Sequence, residues 1–581
     1  YDRLYMGFLH SGGFVVPSLT KSRCLLLLDS QISLPSIIGC RYTMSTGENE
    51  STMTRDTTYD ESWRDDSLFC HDLPTTPDPS IGTILVTGAT GYIGGRLVPE
   101  LIARGYRVRV MVRKALPVHE QMWPEAEIVV GDALALESLE EALDGVSIAY
   151  YLIHSMLLGR GDFVRADRQA AANFRSAAKE QGVGRIIYLG GLGDIRSRLS
   201  DHLRSRMEVA RELSASRVPV TILRAAIIIG SGSASYEIIK DLVSKLLVIP
   251  VPPFARTRCQ PISIRDVIKY LVGVMETPIT SGLTFDIGGD EIMTYEEMAK
   301  VVTAVLHKRR IFFHVPFSYL EFYSYLASLL TPVPAPITRC LMEGLRNEVV
   351  CLDDSIRQYV PFETVGFRTA IIRALSREDQ DRVRTRWSNA YPPAHELAMK
   401  LNELENGPNY TATYSIETGK EPSELFRSIC RVGGKEGWFH SNWMWRLRGA
   451  MDRVLWGVGS ARGRRHSGSL EVDDVIDFWR VEDIRKNRRL LLRAEMKMPG
   501  KAWLEFTLDP AGGGGDAAIR GAGHGEPRES SAGEMDARPV KLGVTAYYDT
   551  SGFFGRLYWY IFLPFHHIIF KGLIRQIEER S

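Results

Sequence analysis

The sequence predicts an α/β fold, a doubly wound parallel sheet, followed by an α+β domain with an antiparallel sheet and a long C-terminal helix. Three observations carry this. A short apolar, β-rich run at residues 83–86 meets a glycine-rich turn and then a helical pattern. Strand-like and helix-like runs then alternate to about residue 300. Beyond residue 409 the order changes to a strand, two helices, four strands and a long apolar helix.

The chain has 581 residues, enough for two or three domains, and 44% hydrophobic with 24% charged residues suits large packed cores. A net charge of +1 gives no global field toward nucleic acid, so no nucleic-acid partner is expected. Seven cysteines (Cys24, Cys40, Cys70, Cys259, Cys340, Cys351, Cys430) form no C-x-x-C pair. That indicates neither a metal site nor a disulfide framework, and it fits a reducing, cytoplasmic setting.

The opening residue is Tyr1, and "MSTGENEST" from Met44 reads as an ordinary start, so residues 1–43 stand apart from the rest. Residues 44–80 are rich in Ser, Thr, Asp and Glu, and residues 1–80 are expected to form a disordered extension. "CLLLLDSQISLPSIIGC" is interrupted by Asp29 and Pro35, which makes it a poor membrane span.

"TILVTGATGYIGGRL" places glycines at 88, 91 and 94 between a strand and a helix. Gly88 permits the tight turn. Gly91 lets a pyrophosphate approach the backbone. Gly94 allows close packing of helix on strand, and the helix N-terminus faces the phosphates. This is the first turn of a Rossmann-like dinucleotide site, with Gly88, Thr90, Gly91, Tyr92, Ile93 and Gly94 as its cofactor-binding set. A tight turn without ligand is the plain alternative. "YRVRVMVR" is the second strand, and it ends in Arg113 and Lys114 rather than in an acid. Two cations suit a 2′-phosphate, which favours NADP(H) over NAD(H), whereas solvated strand-end charges are the simpler reading. Asp132, after the third strand, suits either an adenine contact or a helix N-cap region.

"GDA", "YYLIHSM", "RIIYLGGLG" and "LRAAIIIGSGSAS" continue the strand–helix order. With TGATGYIG they resemble the atypical short-chain dehydrogenase/reductases, a group that includes the NmrA-like regulators and a complex I accessory subunit holding NADPH. The resemblance covers about residues 82–390. It implies an NAD(P)-binding domain at 81–390 with a substrate-side lobe. It also implies a Ser after the fifth strand and a Tyr-x-x-x-Lys on the next helix. Here Leu189-Gly190-Gly191-Leu192 and His202-x-x-x-Arg206 stand at those places.

Positions i and i+4 share a helix face, so His202 can act as acid/base while Arg206 clamps the cofactor. Arginine keeps its charge and cannot serve as a base. A helix that only packs and binds cofactor is the alternative. His154 ends the fourth strand, where ligands of such sheets bind, as a second proton donor or a packed histidine. Arg224, ending the sixth strand, faces substrate or pairs internally. Asp266 reads as a helix cap, and "FDIGGDEIMTYEEMAKVV" as a strand, a turn and a helix begun near Thr294.

A polar, proline-paired stretch at 391–408 is the expected linker. Beyond it, "GWFHSNWMWRLRGAMD", "DFWRVE", "AEMKMPGKAWLEF" and "LYWYIFLPFHHIIF" resemble a bacterial uncharacterised domain, and their element order resembles the helix-grip fold of the polyketide cyclase and START-like group. This domain is placed at 409–578, with a Gly-rich disordered insert at 511–537. Trp438, Trp443, Trp445, Trp479 and Trp503 suit either a pocket for an apolar small molecule or an ordinary core. "RGRRH" (462–466) suits an anion or a solvated turn. Glu495 and Lys497 alternate on one strand and so can share a face. Pro564, His566, His567 and Lys571 argue against a transmembrane span, though the aromatic end leaves peripheral membrane contact open.

The expected function is NADP(H)-dependent hydride transfer to or from an apolar, quinone- or ketone-like substrate. The alternative is a non-catalytic NADP(H)-binding redox sensor or assembly protein. A module that binds nothing is the third reading, and the glycine loop speaks against it.

Overall fold

The computed structural model describes residues 68–581, apart from 116, 155–161, 194–199, 380–384, 386–400, 402–403, 405–406, 435, 455–456, 458, 460–469, 473, 511–538 and 551. The expected linker lies mostly outside the described residues, and so do the 511–537 insert and "RGRRH".

Seven strands make the first sheet: β1 (Thr83–Val86), β2 (Arg107–Val112), β3 (Glu127–Val130), β4 (Val146–Tyr151), β5 (Arg185–Gly191), β6 (Val220–Ala225) and β7 (Thr284–Ile287). They run parallel in the order β7-β6-β5-β4-β1-β2-β3. Parallel neighbours need crossovers, here α1 (Gly94–Ala103), α2 (Pro117–Met122), α3 (Leu136–Leu143), α4 (Asp162–Glu180) and α5 (Asp201–Leu213). Helices cover both faces, so Ile84, Leu85 and Val86 of β1 are fully buried. The strand order reverses between β1 and β4, which opens a crevice at their carboxyl ends.

A lobe covers that end. It contains α6 (Ala234–Lys245), α8 (Tyr295–Val305), α9 (Leu320–Leu330), α10 (Ala335–Gly344) and α12 (Phe367–Asp379), whereas α7 (Ile264–Met275) and α11 (Ile356–Tyr359) pack in the core of the parallel sheet, α7 beside α1. The Thr294 hydroxyl accepts the Glu297 N–H at 3.2 Å, and the Glu297 carboxylate accepts the Thr294 N–H at 2.7 Å. This reciprocal cap starts α8 where the sequence pattern puts it. The Asp266 carboxylate, inside the first turn of α7, accepts the Val365 N–H at 2.9 Å and so ties α7 to the segment before α12.

The expected disordered extension overruns the structure. Phe69, Cys70 and Leu73 are buried in the first core, and the Phe69 and Cys70 N–H groups donate to the Glu100 carboxylate at 2.6 and 3.0 Å. A carboxylate buried on α1 requires donors, and this polar-looking segment supplies them.

The second sheet joins β8 (Tyr410–Thr418), β9 (Val475–Ile476), β10 (Trp479–Arg485), β11 (Arg489–Ala494), β12 (Lys501–Pro510) and β13 (Val540–Asp549). It is antiparallel throughout, ordered β8-β13-β12-β11-β10-β9. Between β8 and β9 lie α13 (Pro422–Arg431) and α14 (Asn442–Val454), and α15 (Phe553–Glu579) closes the chain. The C-terminal half of α15 sits in the core through Phe570, Leu573, Ile574 and Ile577. Among the described residues α15 is the one helix long and apolar enough to cross a membrane by length and composition, with 22% of its apolar window buried. The two domains meet where α14 reaches α9: the Arg453 guanidinium donates to the Leu329 carbonyl at 2.6 Å.

Glu495 does not share a site with Lys497. It lies past the end of β11, buried, and accepts from the Arg480 guanidinium at 2.6 Å, while Lys497 is exposed. Spacing along a strand breaks down once the strand has ended, and the cross-strand neighbour decides the partner.

Candidate active site

The turn between β1 and α1 is built for close approach. Gly88 has φ of 65°, a left-handed conformation that favours glycine, and a Cβ there would stand 2.6 Å from the Leu152 carbonyl. A Cβ on Gly94 would stand 2.5 Å from the Gly88 carbonyl. The Gly91 N–H closes the turn onto the Gly88 carbonyl at 3.0 Å. The Thr87 hydroxyl donates to the Tyr150 carbonyl at 2.9 Å and accepts the Leu152 N–H at 3.2 Å, locking β1 to β4 at the crevice. α1 carries neither a capping side chain nor an acid in its first turn, so its N-terminal amides suit an anion. These residues fit a pyrophosphate.

Thr90 is exposed on this turn, and Tyr92 and Ile93 are half-buried. Arg96 on α1 donates to the Tyr92 carbonyl at 3.0 Å and to the Ser231 carbonyl at 2.9 Å, which joins the turn to the lobe. Arg113 and Lys114 are exposed just past the end of β2. The Asp132 carboxylate accepts the Leu134 N–H at 2.9 Å in the bend leading into α3, the geometry of a local cap.

Above the strand ends lies a cavity of about 460 Å³. Tyr92 and Ile93 border it, as do Gly190 and Gly191 of β5 and His154, His202 and Arg206. His202 and Arg206 thus reach one space from one face of α5. At Gly191 a Cβ would meet Leu203 Cδ2 at 3.0 Å and Arg206 Cγ at 3.6 Å, so α5 sits close over the end of β5. Burial, reinforced by the Arg206 charge, pushes His154 down to about 3. His202 falls likewise to about 3, by burial, by Arg206 and by His154. His154 keeps exposed surface while His202 is half-buried. Both imidazoles are therefore neutral at pH 7.

Comparison with known proteins meets this geometry at the same residues. Residues 80–342 match the NmrA-like family. That stretch of the first domain is similar to the NmrA-like proteins. Residues 404–573 match a second family, described as a protein of unknown function (DUF2867). Among curated relatives, the chain is 24% identical over 263 residues to divinyl chlorophyllide a 8-vinyl-reductase of Cucumis sativus, covering 42% of this chain and 62% of that protein. It is 29% identical over 203 residues to ceramide reductase of Caulobacter vibrioides, covering 34% and 62%. It is 26% identical over 248 residues to NADH dehydrogenase [ubiquinone] 1 alpha subcomplex subunit 9 of Arabidopsis thaliana, covering 41% and 62%.

Within the first domain, Arg224 turns to Asp286, donating at 2.7 Å from Nε, and the same carboxylate accepts the Leu352 N–H at 3.0 Å. Arg224 is not among the residues bordering the cavity, although its neighbour Ala225 is. Sequence reasoning missed the far wall: Ile238 and Leu242 of α6, Tyr323 of α9, and Ile337 and Leu341 of α10 all border the cavity. The signal was the apolar character of "LEFYSYLASLL", which marks a helix but not what it faces.

A second cavity, of about 230 Å³, lies in the C-terminal domain between β10, β12, β13, α14 and α15. Four of the five singled-out tryptophans line it: Trp443, Trp445, Trp479 and Trp503. Trp438 stacks behind Trp445 at 4.2 Å and donates from Nε1 to the Asp477 carboxylate at 2.8 Å.

Proposed function

We propose that the chain is an NADP(H)-dependent oxidoreductase that reduces an apolar, quinone- or ketone-like substrate in the larger cavity. One observation carries this reading: a single, mostly apolar space touches the phosphate turn at Tyr92 and Ile93 and also holds His154, His202 and Arg206. Two relatives are named as reductases, one of ceramide and one of a chlorophyllide vinyl group, which fits apolar substrates.

In this reading the cofactor supplies the hydride. The turn amides and the α1 N-terminus hold its pyrophosphate. Arg113 and Lys114 receive the 2′-phosphate, and Asp132 stands near the adenine side. Arg206 keeps its charge and holds cofactor oxygens. His202, neutral, donates its N–H to the substrate oxygen and takes a replacement proton at its other nitrogen. His154, which borders the same cavity, passes that proton inward. The relay leaves both imidazoles neutral, and the apolar wall excludes water from the reacting carbon.

The test is a titration of the full chain with NADPH and NADH by nicotinamide fluorescence, followed by turnover with quinones and ketones. Tight NADPH binding with turnover that His202→Ala lowers about 100-fold supports the enzyme. A second reading, a non-catalytic NADP(H)-binding sensor or assembly protein, draws on the relative named as an NADH dehydrogenase subunit. Tight binding without turnover supports that one.

A further inference from the structure

The exposed faces of α14 and α15 form one apolar surface. Trp443, Leu447 and Met451 recur along α14 at helical spacing and are 65%, 52% and 47% exposed. Phe565 of α15, 43% exposed, borders the same small cavity as these three, so the two faces adjoin. From there α15 continues to its N-terminal end, where Phe553 and Phe554 are each 74% exposed. Large aromatic and aliphatic side chains gathered on one face are more than a soluble surface usually carries.

Ahead of Glu578 and Glu579 at the end of α15, the exposed charges on these helices are positive. Exposed positions carry Arg446 on α14 and Arg556, Lys571 and Arg575 on α15. No acid occurs on α15 before Glu578. The single acid of α14, Asp452, is buried and accepts the Gly459 and Lys497 N–H groups at 2.7 and 2.6 Å. The chain as a whole is nearly neutral, so this cationic bias is local. Nor can α15 leave to span a bilayer, because Phe570, Leu573, Ile574 and Ile577 anchor it in the core of the domain.

We propose that this face docks on the surface of an anionic lipid bilayer. The aromatic side chains enter the interface, and the arginines and lysine meet lipid phosphates at its edge. The mouth of the 230 Å³ cavity, bordered by Trp443, Leu447 and Phe565, then opens onto the lipid. An apolar molecule enters it without crossing water. This inference is independent of the hydride chemistry proposed above.

The experiment is co-sedimentation of the full chain with vesicles of phosphatidylcholine, with and without phosphatidylglycerol, together with tryptophan emission. Binding to the anionic vesicles, a blue shift of emission and weakening by salt are expected. The double variant Leu447→Glu/Phe554→Glu loses binding. Arg446→Ser and Lys571→Ser each lower affinity about fivefold on anionic vesicles only. All these positions are exposed, and circular dichroism verifies folding. Absence of binding to both vesicles overturns the proposal, as does unchanged binding by the double variant. A dimer in light scattering that Leu447→Glu dissociates also overturns it, since a second copy then covers the face.

Discussion

Gly94 stands so close to the Gly88 carbonyl that a Cβ would lie 2.5 Å from the oxygen. The atom it would meet is backbone, so the turn itself must shift. Gly94→Ala is expected to cost about 1–3 kcal/mol of stability by overpacking. The same variant weakens NADPH binding, because the displaced amides are those assigned to the pyrophosphate. Thermal denaturation with and without NADPH measures both effects, and an unchanged NADPH-induced shift in Tm would count against the pyrophosphate assignment.

Arg113 and Lys114 lie exposed past the end of β2. If they receive the 2′-phosphate, Arg113→Ala/Lys114→Ala weakens NADPH about 10- to 100-fold, on the order of 1.4–2.8 kcal/mol. NADH, which lacks that phosphate, stays within about twofold. Fluorescence titration with both nucleotides separates the outcomes, and equal losses would place the two cations elsewhere.

His154 and His202 are both held down to about 3. The ordinary histidine value is about 6.5, so between these values the unfolded chain binds more protons than the folded one. Their contribution to stability is therefore present above about pH 6.5 and is lost as pH falls toward 3. Asp266 has the opposite sign: burial pushes its carboxyl up to about 7. Its contribution is present below the usual carboxylate range and is lost as pH rises through 7. Urea denaturation from pH 4 to 8 tests both, with His154→Gln/His202→Gln flattening the acid limb and Asp266→Asn the neutral one.

The Arg480–Glu495 pair at 2.6 Å is 3% and 2% exposed. Glu495→Gln removes the carboxylate charge 2.6 Å from this buried guanidinium and is expected to cost about 3–5 kcal/mol. Replacing both, as Arg480→Met/Glu495→Leu, recovers most of that loss. Chemical denaturation of the three variants reads the difference. A single variant that costs nothing would mean that water or another carboxylate already serves Arg480.

Much of this protein is local, and what is local was legible. The glycine spacing at 88, 91 and 94 reports backbone conformation, which neighbouring residues set. Apolar periodicity reports which segments are strands and helices, so the parallel sheet, the antiparallel sheet and the terminal helix followed from the chain alone. His202 and Arg206 were paired because one helix turn separates them. The resemblance, carried by contiguous motifs, pointed to the NmrA-like family that residues 80–342 match.

Only the tertiary structure decided what meets what across long separations. Arg224 finds Asp286, and Glu495 finds Arg480, because strand register sets those encounters and spacing along one strand does not. Phe69 and Cys70 looked like part of a polar tail until Glu100 required their amides. The large cavity has walls from α5, α6, α9 and α10, segments spread between Asp201 and Gly344. Each helix shows its apolar stripe in its own sequence. Whether two stripes close on each other or leave space between them is a property of how the layers stack, and no single segment contains it.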